Sequence, residues 1–331
     1  MKALRLHGAG ELRLHDEPDP VPGDGEALLR VTAVGLCGSD RHWFTEGAIG
    51  DARLDRPLVL GHEVGATIVG GPRAGERVAV DPAIPCGVCA VCLRGDDHLC
   101  PTGRFAGHGA TDGGLRTLVA WPEHLLQPVP DWLPDADVAL LEPLGVAVHA
   151  LELGKVTPGA ATCVVGCGPI GLLLVQLLRV AGAFVAAVEP LPHRAAAASA
   201  AGAAEVAAAL DPSLRDRFDV VFDVAGTDEA VDAALAAVAP GGRVVLVGIP
   251  DGDRTTFSAS LARRKGLTLL LARRMRSSHL ARATSLVAGR RVDLGGLVGE
   301  RHALAAGGPA WEALVSRRTL KVVVDPQAVA E

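Results

Sequence analysis

Tyrosine is absent from this 331-residue chain, and aromatic residues make up only 3% of it. Any oxidoreductase mechanism that uses a tyrosine hydroxyl as general acid is therefore excluded. A bound metal ion is the natural electrophile in its place. The chain is rich in alanine and glycine instead, and its 49% hydrophobic content is enough for roughly two folded domains at this length.

Long apolar runs and an excess of positive charge are missing as well. The most apolar stretch, residues 170–188, is interrupted by Gln176, Arg179 and Gly182, which indicates a buried helix and strand rather than a membrane span. The net charge of -6 argues against a nucleic-acid partner. Residues 1–7 do not resemble a targeting segment. We therefore expect a soluble, cytoplasmic protein with no membrane or nucleic-acid partner.

Four of the seven cysteines lie in one short run, at Cys86, Cys89, Cys92 and Cys100. Thiolates at these spacings can converge on one tetrahedral ion, which predicts a closed structural zinc site. Two disulfides are one alternative, disfavoured because thiols stay reduced in the cytosol. An iron–sulfur cluster is another. It is disfavoured because bacterial cluster motifs place three residues before the last cysteine, whereas seven separate Cys92 from Cys100.

The predicted secondary structure of the chain changes near Pro143. Before it, short β-type segments alternate with Pro- and Gly-rich turns, which predicts a β-barrel-like domain. These segments are residues 27–34, 63–69, 77–80 and 115–121.

After Pro143, predicted strands alternate with helical segments, which is typical of a doubly wound parallel sheet. The last apolar segment, residues 319–324, is expected to return to the first domain. The predicted fold is therefore α/β with two domains, bounded at 1–143 plus 283–331 and at 144–282. The strands of the second domain are predicted at 161–165, 184–188, 219–224, 243–248 and 267–271.

A dinucleotide fingerprint opens the second domain. Gly166, Gly168 and Gly171, with Pro169 and Ile170 between the last two, match G-x-G-x-x-G between a buried strand and an apolar helix. The glycines permit a tight turn, close approach of a pyrophosphate and close helix packing, and the helix N-terminus favours the phosphate charge.

The next predicted strand ends in Glu189, where a carboxylate can accept hydrogen bonds from the adenosine ribose. A carboxylate there repels a 2′-phosphate, which favours NAD over NADP. Arg194 is a further candidate cofactor-binding residue. The alternative interpretation is a purely structural turn followed by a solvated strand-end charge.

A second metal site is predicted from Cys37, His62 and Glu142. Each has a simpler explanation alone, since a lone Cys or His is commonly a core residue. Together they would give three protein ligands and an open fourth position, the layout of a catalytic zinc.

At this point the chain resembles the zinc-dependent medium-chain alcohol dehydrogenases over essentially its whole length. The resemblance rests on Cys37-Gly-Ser39-Asp40-Arg-His42, on Gly61-His62-Glu63, on the cysteine run and on the glycine fingerprint. Within that family the sorbitol and polyol dehydrogenase branch is most similar. The resemblance implies a GroES-like catalytic domain, a Rossmann domain, two zinc ions per chain, NAD, and a homodimer or homotetramer.

The resemblance also implies roles for single residues near the catalytic metal. Glu142 stands where other branches carry a ligand cysteine, and it reaches the metal directly or through water. Glu63 as a permanent ligand would make the site too negative for a bound alcohol to lose its proton easily, so we favour a transient or outer role for it. Asp40 is expected to partner the free ring nitrogen of His62.

A proton relay is implied from Ser39 through the nicotinamide ribose to His42 at the surface; turn capping and a solvated side chain are the alternative. Lys321 corresponds to a basic residue near the cofactor pyrophosphate, and an exposed strand-end lysine is its alternative. We expect one arginine near substrate and cofactor. The candidates are Arg273, Arg274 and Arg276, and the sequence does not select one of them. Aromatic candidates for the pocket are Trp43, Phe44 and Phe105.

The expected function is NAD- and zinc-dependent oxidation of a secondary alcohol of a polyol, cyclitol or sugar-like molecule to a ketone. The absence of tyrosine removes a hydroxyl often used by polyol enzymes, so threonine, an aminosugar and an aminocyclitol stay open as substrates. A non-catalytic NAD-binding zinc protein of the same fold and an NADP-linked aldehyde reductase are further alternatives.

Overall fold

The computed structural model describes residues 1–252 and 254–328. The chain forms two compact units. Unit 1 comprises Met1–Glu142, Arg276–Ala288 and Leu294–Glu331, and unit 2 comprises Pro143–Met275 and Gly289–Asp293. The return to unit 1 thus begins at Arg276, earlier than the predicted residue 283, and a short segment goes back to unit 2. Residues 329–331 of the predicted domain lie outside the described residues.

Most strands have seven residues or fewer. The strands are β1 (Lys2–Gly8), β2 (Glu11–Asp16), β3 (Glu26–Gly35), β4 (Ala48–Ile49), β5 (Ala52–Arg53), β6 (Leu58–Val59), β7 (Glu63–Ile68), β8 (Arg77–Val80), β9 (Ala83–Ile84), β10 (Arg104–Phe105), β11 (Leu118–Pro122), β12 (Leu126–Pro128), β13 (Ala161–Val165), β14 (Phe184–Val188), β15 (Glu205–Ala207), β16 (Phe218–Asp223), β17 (Val238–Leu246), β18 (Thr268–Leu271), β19 (Val298–Ala303) and β20 (Lys321–Asp325).

The α-helices fall mainly in unit 2 and in the returning segments. They are α1 (Gly38–Glu46), α2 (Ala90–Leu93), α3 (Asp135–Val138), α4 (Leu141–Gly154), α5 (Pro169–Val180), α6 (Pro192–Ala201), α7 (Asp228–Ala237), α8 (Ala259–Lys265), α9 (Ser277–Ala288) and α10 (Gly307–Ser316). No helix in the described part of the chain is long and apolar enough to cross a membrane.

Unit 1 is built around one sheet in the order β12-β8-β7-β3-β20-β19, with β11 also paired to β3. Along β3, Ala27, Leu29 and Val31 are buried while Arg30 is exposed, the alternation of a strand with one face on the core. The C-terminal β20 pairs antiparallel with β3, through Val323 opposite Gly35. The predicted return of the last strand to the first domain is therefore confirmed.

Unit 2 contains a six-stranded sheet in the order β15-β14-β13-β16-β17-β18, and all of its pairs are parallel. This is the predicted doubly wound arrangement, with its switch point between β13 and β16. The predicted bounds hold at β13 and β14, whereas β17 begins at Val238 instead of residue 243. Pro240 and two glycines make its first half look like a turn in sequence, and its register with β16 shifts there.

Candidate metal and cofactor sites

The four-cysteine run folds into a compact lobe around its sulfur atoms. The Sγ–Sγ distances are 3.4 Å for Cys89 and Cys92, 3.9 Å for Cys86 and Cys92, and 4.0 Å for Cys89 and Cys100. Tetrahedral zinc with ligands at about 2.3 Å places them about 3.8 Å apart. All four cysteines are free, not disulfide-bonded. The geometry fits one zinc ion.

Backbone N–H groups favour the thiolate forms that such an ion needs. The N–H of Cys86 donates to Cys100 Sγ at 3.3 Å, and that of Cys89 donates to Cys86 Sγ at 3.4 Å. The N–H groups of Val88 and Cys89 lower the pKa of Cys86 to about 6. Cys86 is therefore prepared as an anionic, metal-binding sulfur, whereas burial and the neighbouring Cys89 thiol raise the pKa of Cys92 to about 12.

Asp40 organises the second cluster. Its Oδ2 accepts the N–H of Cys37 at 2.9 Å, and its Oδ1 accepts the N–H of Gly61 at 3.3 Å. The same Oδ1 lies 3.6 Å from His62 Nδ1, as predicted for the partner of that ring. One buried carboxylate thus ties together both segments that carry candidate ligands.

The charges of Asp40 and His62 depend strongly on each other. Burial disfavours ionised Asp40, but His62 and the two backbone donors outweigh burial and hold the pKa of Asp40 below its usual value. Burial also disfavours protonated His62, yet Asp40 raises the pKa of His62 well above 6.5. Zinc needs a neutral imidazole, so metal binding here would release a proton.

Cys37, His62 and Glu63 each offer a ligand atom, and these atoms lie within 4.8 Å of one another. Tetrahedral zinc holds its ligands about 3.8 Å apart or less, so these three side chains would draw together around a bound ion. The structure therefore groups Glu63 with the thiol and the imidazole, whereas the sequence prediction chose Glu142.

Glu142 lies at the start of α4, buried and close enough to interact electrostatically with His62 and Glu63. Burial raises the pKa of Glu142 to about 7, with His62 opposing and Glu63 reinforcing the shift. Its role as a zinc ligand stays a prediction.

Glu63 is paired with Lys321, across 258 residues of sequence. Lys321 Nζ donates to both carboxylate oxygens at 2.7 Å and to the Leu36 carbonyl at 3.1 Å. Both side chains are buried, so the alternative of an exposed strand-end lysine is wrong. Cofactor contact by Lys321 stays a prediction, because its ammonium is already engaged by Glu63.

His42 is buried, not at the surface as expected, because α1 turns this side of the helix inward. Its Nδ1 lies 2.8 Å from Glu46 Oε1, one helical turn later, and Glu46 is 40% exposed. Ser39 lies earlier in α1 and is partly exposed. A proton reaching His42 would therefore meet a carboxylate next, a partner that the sequence prediction missed although its i, i+4 spacing announces it.

The predicted aromatic residues separate into two groups. The Phe105 ring lies 5.3 Å from the His62 ring, beside the metal cluster. Trp43 is buried in the core of unit 1, and the partly buried Phe44 packs against that core and stacks on Trp311 at 4.8 Å.

Among the three candidate arginines, Arg276 has a defined ionic contact. Its Nη2 donates to Asp96 Oδ1 at 2.9 Å, in the cysteine lobe. An arginine near substrate and cofactor stays a prediction.

The glycine fingerprint has the predicted geometry. Gly166 has φ 93°, which permits the tight turn after β13, and a β-carbon on Gly171 would overlap Gly166 O. A β-carbon on Gly168 would lie in more open space, 3.7 Å from Arg194 Nη1. Gly168 precedes α5 as its N-cap, and Pro169 is the first helical residue. This glycine loop fits a pyrophosphate at the helix N-terminus, and the Arg194 guanidinium lies next to Gly168.

Glu189 directly follows β14 and is buried. Its Oε2 accepts the N–H of Cys167 at 2.8 Å and its Oε1 accepts the N–H of Leu191 at 2.9 Å. Each carboxylate oxygen has a further lone pair, so ribose hydroxyls could still be accepted. The side chain therefore also supports the glycine loop.

Two family models match the chain. Residues 23–131 match the alcohol dehydrogenase GroES-like domain and residues 169–289 match the zinc-binding dehydrogenase. The chain belongs to the zinc-dependent alcohol dehydrogenase family. It is an oxidoreductase of this family, for which zinc and NAD(H) are the typical cofactors.

Named relatives of this dehydrogenase agree on the branch. Sorbitol dehydrogenase from Bacillus subtilis is 34% identical over 76% of this chain and 75% of the relative. A probable D-xylulose reductase A from Neosartorya fischeri is 34% identical over 88% and 87%. The crystal structure of L-idonate 5-dehydrogenase from Escherichia coli superimposes with a TM-score of 0.88 and 25% identity over 98% and 97%.

Proposed function

We propose that this dehydrogenase oxidises a secondary alcohol of a polyol or sugar-like substrate to a ketone, with NAD as hydride acceptor. The observation that carries the proposal is the cluster of Cys37, His62 and an adjacent carboxylate, set in a chain whose relatives are named for polyol and sugar-acid substrates. Zinc at that cluster supplies a Lewis acid that makes a hydroxyl group easier to deprotonate.

The protein residues then have separate tasks. Cys37 and His62 hold the metal, and Asp40 fixes both by accepting the Cys37 N–H and facing the His62 ring. Glu142 is the candidate third ligand. Gly166, Gly168 and Gly171 hold the cofactor pyrophosphate, and Glu189 selects NAD.

Lys321 removes the electrostatic objection to a carboxylate at position 63. Because Lys321 and Glu63 are paired at 2.7 Å, the pair adds no net charge to the site. Glu63 can therefore lie within reach of Cys37 and His62 without making loss of the hydroxyl proton harder.

Proton removal is assigned to Ser39, which accepts the alcohol proton, and to His42, which takes it up later. The contact of His42 Nδ1 with half-exposed Glu46 supports a path towards solvent. This relay is part of the proposal.

The zinc-loaded protein should be tested for NADH formation with polyols, cyclitols, aminosugars, threonine and simple alcohols. We expect the highest kcat/KM with a polyol or sugar-like secondary alcohol. A preference for threonine or a simple alcohol, or equal rates with NADP, would contradict the proposal. A homodimer or homotetramer and a cytoplasmic location stay proposals; light scattering of the purified protein tests the first.

A further inference from the structure

Three strands of unit 2 end side by side at the switch point of its sheet. Val165, the last residue of β13, pairs with Asp223, the last residue of β16, and Asp223 pairs with Leu246 at the end of β17. Dinucleotides bind at the carboxyl edge of such sheets, at this point of the strand order. Asp223 therefore lies beside the turn that carries Gly166.

Asp223 holds two turns through its backbone and its side chain. Its Oδ1 accepts the N–H groups of Ala225 and Gly226, each at 3.1 Å. Its main-chain carbonyl accepts the N–H groups of Val247 at 2.7 Å and Gly248 at 3.1 Å. The turn after β16 and the turn after β17 are thus fixed by one residue.

The turn after β16 touches the glycine fingerprint through backbone atoms and one methyl group, and the two turns touch each other through backbone. A β-carbon on Gly166 would lie 2.9 Å from Ala225 N, and one on Gly226 would lie 2.7 Å from Ile249 O. A β-carbon on Gly248 would overlap Gly226 N. Because only backbone atoms and the rigid Ala225 methyl group lie at the contact with Gly166, a movement of Ala225 is passed to Gly166 rather than absorbed by a rotating side chain.

The carboxylate has an oxygen that local capping does not use. Asp223 is 1% exposed, and its Oδ2 is buried without a hydrogen-bond partner in the described part of the chain. A buried carboxylate oxygen without a hydrogen bond lowers the stability of the fold, so a functional role is needed to account for an aspartate at this position.

We propose that Asp223 is a positioning residue for the dinucleotide: it fixes the turn on which the Gly166 loop rests and thereby sets the affinity for NAD(H). The inference depends on use of NAD(H) and is independent of which alcohol is the substrate. It assigns Asp223 no contact with the reacting atoms.

The test is the dissociation constant of NADH, measured from NADH fluorescence with zinc-loaded protein. Asp223→Ala removes the acceptor of two N–H groups, and we expect binding to weaken at least about tenfold. Asp223→Asn keeps an acceptor oxygen, so its affinity should stay within about threefold of wild type.

Asp219 provides a matched control on the same strand. Its exposed carboxylate accepts the N–H of Ala161 at 2.9 Å, at the opposite ends of β16 and β13. Asp219→Ala therefore removes a similar hydrogen bond from the same sheet. We expect NADH affinity within about twofold of wild type for this variant, because the bond is far along the strands from the fingerprint.

Hydrogen exchange and kinetics add independent readouts. The amides of Ala225 and Gly226 should exchange faster in Asp223→Ala and not in Asp219→Ala. The KM for NAD should rise in Asp223→Ala while kcat at saturating NAD changes by less than about threefold, because positioning acts on binding.

The proposal is overturned if Asp223→Ala binds NADH within about twofold of wild type, or if both alanine variants lose affinity equally. Loss of affinity in Asp223→Asn equal to that in Asp223→Ala also overturns it. If Asp223→Ala does not fold, Asp223→Ser retains one acceptor oxygen and should show an intermediate loss of NADH affinity. Unchanged affinity in Asp223→Ser would contradict the proposal. The titration needs no alcohol, so a wrong substrate class leaves this test intact.

Discussion

Replacing Lys321 with methionine isolates the ion pair beside the metal cluster. Lys321 is 4% exposed and Glu63 is fully buried, and the ammonium reaches both carboxylate oxygens at 2.7 Å. Removing one partner of a buried pair leaves an uncompensated charge, which costs about 3–5 kcal/mol. Replacing both partners with neutral residues is often nearly neutral. We therefore expect Lys321→Met to lower the free energy of unfolding by about 3–5 kcal/mol, and Glu63→Gln/Lys321→Met to recover most of that loss.

The assay can be confined to unit 1. All four tryptophans of the chain, Trp43, Trp121, Trp132 and Trp311, belong to that unit. Urea unfolding followed by tryptophan fluorescence thus reports the unit that contains the pair. Lys2→Met is the control, because the Lys2–Asp16 pair is exposed and screened by solvent and should contribute far less to stability than the buried pair. If Lys321→Met costs no more than Lys2→Met, the buried pair does not have the energetic role assigned to it.

Three further predictions concern single carboxylates. Asp40→Ala should weaken zinc at the Cys37 and His62 cluster about 10–100-fold while the four-cysteine site keeps its metal, measured by chelator competition; equal loss at both sites contradicts the orienting role. Glu189→Ala should raise the KM for NAD about tenfold and that for NADP much less, and parallel increases would refute its role in selecting NAD. Burial raises the pKa of Asp223 to about 6 from 3.8, so folded wild type binds this proton more tightly than the unfolded chain and loses stability as pH rises from 4 towards 6. Asp223→Asn lacks this loss. As pH rises from 4 to 6, its stability relative to wild type should therefore increase by about 1.4 kcal/mol per pH unit, measured by urea unfolding followed by circular dichroism. A pH-independent difference would show that the carboxyl group of Asp223 does not titrate in this range.

The features that sequence predicted best depend on contacts between neighbours in the chain. The four cysteines lie within one short run, and the glycine fingerprint needs only a strand, a turn and a helix. Asp40 is predicted as the partner of the free ring nitrogen of His62, and the structure places the two side chains together.

The features that sequence missed depend on distant pairing or on burial. Lys321 meets Glu63 only because β20 returns to β3, and Arg276 meets Asp96 across 180 residues. Neither partner could be chosen from a local pattern. The burial of His42 depends on which face of α1 turns inward, which the sequence of so short a polar helix does not show. Its contact with Glu46, by contrast, follows an i, i+4 spacing and could have been predicted.

The central claim is that Cys37 and His62 hold a second zinc ion besides that of the cysteine lobe. Elemental analysis of purified, zinc-replete protein tests it directly, with wild type compared with Cys37→Ser. We expect two zinc ions per chain in wild type and one in the variant. One ion in both proteins, or two in both, would contradict the account.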